Sequence, residues 1–168
     1  MKLKQPKVFK SFFNPFPDNR GFLTAIDIEK IQNKTGIKFI YQLISLSKTK
    51  FTFRGMHYQK TPKEQNKVVA VHSGKLTDYV VKLSEKSFSK VLKFELEAGD
   101  VIVIPKEYAH GFLSKTDNVV IQYFMDEKFS VRHYSGLNAT KFIKEEFPKK
   151  KIVISQKDKQ LTDLLIKD

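Results

Sequence analysis

No cysteine occurs among the 168 residues, which excludes a disulfide framework, a thiolate nucleophile and a zinc knuckle and suits a reducing compartment. Nowhere is there the run of about 18 apolar residues that a membrane-spanning helix needs. The opening Met1-Lys2-Leu3-Lys4-Gln5-Pro6 lacks the apolar stretch of a secretory signal. A soluble, cytoplasmic protein is expected. Arginine is scarce, at Arg20, Arg54 and Arg132 only, although the formal net charge is +13; the excess is lysine spread from end to end. Surfaces that read nucleic acid normally concentrate arginine, so neither nucleic acid nor a membrane is an expected partner. Attraction of an anionic small substrate accounts for the charge more simply. At 19.5 kDa with 40% hydrophobic residues, and with no internal repeat or low-complexity linker, residues 1–168 read as one domain with a real core.

Histidine is sparse too, and two of the four sit in short stretches that read like a site. His57 lies in Phe53-Arg54-Gly55-Met56-His57-Tyr58-Gln59, and His110 in Pro105-Lys106-Glu107-Tyr108-Ala109-His110-Gly111-Phe112. Imidazole is the side chain whose unperturbed proton affinity lies near neutrality, so proton transfer is the first chemistry to consider.

Short apolar runs between turn signals dominate the middle of the chain. Strands are expected at 39–46, 50–53, 67–72, 75–83, 91–96, 101–104, 111–114 and 119–125, with Ser73-Gly74 as a hairpin and Gly99-Asp100 as a further turn. Helical pattern is confined to the margins: 26–32 closed by Gly36, and 158–166 with Leu161, Leu164 and Leu165 as an apolar stripe. Many short strands at near-regular spacing predict an all-β sandwich or barrel with short marginal helices.

The stretch Gly99-Asp100-Val101-Ile102-Val103-Ile104-Pro105 followed by His110 resembles the second motif of the cupin superfamily, which makes the expected architecture a cupin-type jelly roll. Metal-binding cupins carry a His-x-His pair and a carboxylate in their first motif, because three or four ligands must converge on one ion. Here Gln59 stands where the second histidine would be, so no metal is expected.

With those residues in place the chain resembles the dTDP-4-dehydrorhamnose 3,5-epimerase family. The matching blocks are Asp18-Asn19-Arg20-Gly21-Phe22, Arg54 to Gln59, Lys67-Val68-Val69, Gly74 to Asp78, Ile104-Pro105 with Ala109 to Phe112, Tyr123, and Ile154-Ser155-Gln156-Lys157-Asp158. They keep the family's order. The resemblance implies epimerisation of a nucleotide-linked 4-keto-6-deoxy sugar through an enolate, for surface polysaccharide, with no cofactor. It implies His57 as base, Asp158 as the carboxylate orienting it, Lys67 as the charge beside the enolate oxygen and Tyr123 as the acid on the opposite face. His110 and Asp78 support the interior network, with Asp78 in reach of His57; Arg54 pairs with the diphosphate, and Gln59 and Phe129 join the substrate site. A homodimer is implied, in which Arg20 and Phe22 on an exchanged N-terminal strand complete the partner's nucleotide pocket.

Each residue taken singly has a plainer reading. Tyr123 is a sheet aromatic, Asp158 the N-cap of the last helix, Asp78 a solvent-facing strand residue, and Arg20-Gly21 an ordinary turn. Departures from the family pattern bear on substrate identity. Ala25, with Thr24 beside it, replaces a glutamate, Phe129 replaces a second tyrosine, Ser45 and Ser47 stand near an expected asparagine, and Arg132 to Asn138 departs from an acidic, tryptophan-containing segment. A 3,4-ketoisomerase, a single-centre epimerase and a noncatalytic sugar-nucleotide-binding cupin are the rival readings.

Overall fold

The computed structural model describes residues 4–83 and 90–164. In chain order the elements are β1 (Lys7–Phe9), β2 (Phe16–Asp18), β3 (Gly21–Leu23), α1 (Ile28–Thr35), β4 (Tyr41–Ser47), β5 (Phe53–Gln59), β6 (Lys67–Ser73) and β7 (Lys75–Lys82). There follow β8 (Leu92–Glu97), β9 (Val101–Ile104), β10 (Tyr108–Ser114), β11 (Val119–Met125), β12 (Tyr134–Asn138), α2 (Thr140–Glu146), α3 (Gln156–Lys159) and β13 (Thr162–Asp163).

Two sheets face each other as a jelly roll. One runs β1-β9-β6-β11-β4 and the other β13-β12-β5-β10-β7-β8; a β2-β3 hairpin stands outside both. Val69, Val71, Ile102, Ile104 and Ile121 from the first sheet pack between the layers against Leu76, Val80, Leu96 and Phe112 from the second. The outer faces are covered as well. Phe12, Phe13 and Ile31 lie over Val68, Ala70, Val103 and Phe124, while Ile143 and its neighbours lie over Tyr79, Val81 and Leu113. Strands covered on both faces explain why Val68 to Val71 and Val101 to Ile104 read as continuous apolar runs rather than as alternation.

The predicted first helix is present, starting two residues later and ending three residues later than expected: Asp27 caps it by accepting from Lys30 N, and Gly36 closes it at φ 72°. Three expectations are corrected. Ser73-Gly74 is not a hairpin, because β6 and β7 belong to different sheets; Gly74, at φ 78°, turns the chain across the sandwich. Of the segment 50–53, Lys50 and Phe51 form a turn, Thr52 makes an isolated parallel bridge to Val153 and only Phe53 belongs to β5; the amides are taken by Asp117, Ser114 and Val153. The last helix is the single turn of α3, capped by Ser155 rather than Asp158. After it, Thr162 and Asp163 pair in parallel with β12, and Leu164 packs into the outer core, so tertiary pairing overrides the helical pattern. Leu165 and Ile166 of that predicted helix lie outside the described residues. The strands β1, β2, β3, β12 and β13 and the helix α2 carry no pattern that announced them, and β5, which carries Arg54 and His57, was expected only as far as Phe53. For α2 the reason is local: Ala139 occupies its N-cap without a side-chain bond, and Asn138 caps Thr140 N instead.

Candidate active site

A cavity of about 560 Å³ opens between the sheets, and its wall includes His57, Lys67, His110, Tyr123 and Asp158. His57 and Arg54 come from β5, His110 from the adjacent β10, and Lys67 and Tyr123 from the facing sheet. His57 and His110 are direct cross-strand partners, so both rings project from the same face of their sheet.

A glycine makes this arrangement possible. Phe53 and Met56, an odd number apart, both pack into the outer core, so the inward-outward alternation of β5 reverses between them. Gly55, at φ +137°, sits at the reversal, where a Cβ would collide with Gly111 Cα of β10. Arg54 and His57 therefore both line the cavity despite their odd separation.

His57 Nε2 lies 2.8 Å from Asp158 Oδ1, with the His57 side chain 34% exposed. Burial pushes the Asp158 carboxyl up, but the hydrogen bond and charge of His57, the Gly55 N–H and the Ser155 hydroxyl outweigh it and hold the acid below its ordinary value. The sequence Ser155-Gln156-Lys157-Asp158 has capping-box spacing. Ser155 Oγ accepts from Asp158 N at 3.0 Å, as the motif requires, while the Asp158 carboxylate turns to His57.

His110 forms the second pair, its Nε2 2.7 Å from Asp78 Oδ2, with the His110 side chain only 3% exposed and Asp78 fully buried. Asp78 does not pair with His57, and it is not solvent-facing; its other oxygen has no hydrogen-bond partner among the described residues. Burial raises the Asp78 pKa, with His110 and Lys67 opposing. Lys67 is buried and donates to the His57 carbonyl at 3.0 Å. Burial pushes its ammonium down to about 8, with the charge of Asp78 opposing. Tyr123 stands edge-on to His110 at 5.9 Å between centroids. Burial first, then the Asp78 charge, raises its phenol, which stays protonated well above neutrality.

At the mouth, Arg54 is steadied by Ser47 Oγ, which accepts from Nε at 3.1 Å, and by the Leu46 carbonyl, which accepts from Nη2 at 2.9 Å. Ser45 also lines the wall. Phe129 is 43% exposed there. Gln59 is in the wall, but its amide is engaged by backbone groups of Lys63, Lys128 and Ser130. Arg20 and Phe22 do not reach this chain's cavity. Arg20 pairs with Asp18 on the hairpin, and Phe22 is exposed.

Two wall residues escaped the sequence reading. Tyr134 packs 5.4 Å from the His57 ring, its phenol pushed up to about 12 by burial and then by Asp158, and Lys157 Nζ lies 4.0 Å from the Tyr134 ring centroid. Lys157 was visible as the neighbour of Asp158; Tyr134 lay in the segment 132–138 noted for departing from the family pattern, but its strand β12, and so its place in the wall, was not foreseen. Among the described residues no group of three or more His, Cys, Asp or Glu is placed to hold a metal ion.

A family model described as dTDP-4-dehydrorhamnose 3,5-epimerase matches residues 2–165. The dTDP-4-dehydrorhamnose 3,5-epimerase of Shigella flexneri is 31% identical over 161 residues, covering 92% of this chain and 85% of that one. That of Sinorhizobium fredii is 31% identical over 128 residues, covering 73% and 66%. The crystal structure of the Bacillus anthracis dTDP-4-dehydrorhamnose 3,5-epimerase, with TDP and PPi bound, superposes with a TM-score of 0.79 at 30% identity, covering 98% of this chain and 97% of that one. With the family model matching nearly the whole chain and the fold superposing on a solved member, the chain belongs to the dTDP-4-dehydrorhamnose 3,5-epimerase family, whose members are isomerases.

Proposed function

We propose that this protein epimerises C3 and C5 of a nucleotide-linked 4-keto-6-deoxy sugar, in the supply of a surface polysaccharide. Hydrogens beside a ketone become removable once the enolate is stabilised, so the reaction needs a base, a charge at the enolate oxygen and an acid on the other face. The observation that carries the reading is that His57, held by Asp158, and Tyr123 project into one cavity from opposing sheets, with Lys67 on the same wall. His57 takes the proton, Lys67 meets the developing oxyanion, and Tyr123 returns a proton from the far side. Arg54 and Lys157 at the mouth suit a diphosphate.

The working unit in this reading is a homodimer. The β2-β3 hairpin exposes Phe16, Phe22 and Leu23, and the edge strand β4 exposes Leu43, Ile44 and Leu46, of which Leu43 and Ile44 line the cavity. An exchanged hairpin covers that edge and brings Arg20 and Phe22 to the partner's nucleotide pocket.

The test is incubation with 4-keto-6-deoxy sugar nucleotides in heavy water, read by mass and product NMR. Deuterium at both C3 and C5 with inverted configuration is expected. Deuterium at one carbon makes the protein a single-centre epimerase, movement of the ketone makes it a ketoisomerase, and no exchange with any nucleotide removes the enzymatic claim.

A further inference from the structure

Gln59 occupies the cavity wall, yet its amide has little left to offer a ligand. Nε2 donates to the Lys63 carbonyl at 2.6 Å and to the Lys128 carbonyl at 3.2 Å, and Oε1 accepts from Ser130 N at 2.6 Å. A primary amide has two N–H groups, and both are used. These bonds fall on two loops: Lys63 belongs to the connection after β5, and Lys128 and Ser130 to the connection after β11. Between Lys128 and Ser130 lies Phe129.

The rest of that second loop is fastened in the same manner. Asn66 donates to the Asp126 carboxylate through its backbone N–H at 2.9 Å and its side-chain amide at 2.6 Å, and Gln65 donates to the Glu127 carbonyl at 2.8 Å. Phe129 is the residue whose side chain is left for the cavity, where its ring meets Tyr134 at 5.9 Å and Tyr134 in turn stands against His57.

We infer that Gln59 is a positioning residue: by bracketing Phe129 on both sides it fixes the aromatic wall at the cavity mouth, and so sets the affinity for the nucleotide end of the substrate. The inference rests on the sugar-nucleotide reading of the site. A loop held in its binding conformation beforehand spares the complex the ordering cost that a loose loop would add. Loss of the bracket therefore raises KM while proton transfer at His57 and Tyr123 continues at saturation.

The experiment is calorimetric titration of free dTDP into the protein, Gln59→Met, Phe129→Ala and the double variant, with peptide-level amide hydrogen exchange over residues 126–131. Gln59→Met keeps the side chain's length and removes its hydrogen bonds. It is expected to weaken dTDP about tenfold and to speed exchange in the 126–131 peptide, and the double variant is expected to lose no more than Phe129→Ala alone, since coupled residues are not additive. KM for the keto sugar nucleotide is expected to rise by a similar factor, with kcat held within about threefold. Gln59→Glu keeps the shape but sets a carboxylate against two carbonyls, and it must weaken dTDP in the same direction. Additive losses in the double variant, or unchanged dTDP affinity beside a loosened loop, overturn the inference. Affinity for dTDP and exchange in the loop thus decide the role of Gln59, whereas absence of deuterium transfer to substrate would overturn the epimerase reading instead.

Discussion

The two histidine–carboxylate pairs are nearly the same length, 2.8 Å for His57–Asp158 and 2.7 Å for His110–Asp78, and they sit side by side on neighbouring strands. Their surroundings differ. His57 keeps a third of its side chain open to the cavity, and Asp158 spreads its charge over a ring nitrogen, the Gly55 N–H and a helix cap. His110 and Asp78 are closed in, and one Asp78 oxygen finds no hydrogen-bond partner among the described residues. Identical functional groups thus differ in burial and in how completely each carboxylate is satisfied, which suits the open pair to the proton transfer of the proposed function and the closed pair to holding a fixed charge pattern.

That contrast can be broken from either side. Replacing the open base, His57→Ala, is expected to slow deuterium incorporation from solvent by about 10²- to 10⁴-fold while leaving the thermal melt close to that of the natural protein. A rate within threefold of normal would show that the base lies elsewhere. Asp78→Asn should do the reverse in kind: a loss of about 2–3 kcal/mol in urea unfolding, because a buried charged partner of His110 and Lys67 is removed, with a smaller effect on rate. Equal losses of rate from both changes would erase the proposed division of labour.

The finest test uses pH. The Lys67 ammonium titrates near 8, so kcat/KM should fall above about pH 8 as the charge that meets the oxyanion is lost. Asp78 supports that charge, so Asp78→Asn should move the falling limb to lower pH. Stability runs the other way. Because the folded pKa lies below the unfolded value of about 10.4, the cost of burying the ammonium is fully present below pH 8 and is relieved as pH rises toward 10.4. A variant such as Lys67→Met should remove that slope between pH 8 and 10.4 in unfolding titrations.

The sequence reading went furthest where residue type and position carried chemistry together. His57, His110, Lys67, Tyr123, Asp158 and Arg54 meet in one cavity, as the family resemblance implied. Most central strands were legible because their apolar runs are bounded by turns. What escaped was decided by tertiary partners: β12 and β13 exist through pairing with β5 and with each other, and Tyr134 enters the site on that unseen strand. Gln59 was visible as a residue, but its engagement with two loops far apart in the chain leaves no local trace. The hairpin expected at Ser73-Gly74 failed for a similar reason, since a glycine turn looks the same whether the next strand folds back or crosses to the other layer.

The reversal at Gly55 couples two tasks that chemistry would let vary separately. The anion grip and the proton removal that the proposed function assigns to positions 54 and 57 would be geared through one residue, so adding or deleting a single amino acid between them would swing one side chain outward whenever the other stayed in place. Under the proposed function, a change of sugar would therefore be reached more readily by exchanging side chains along the rim than by altering the length of the strand that carries positions 54 and 57.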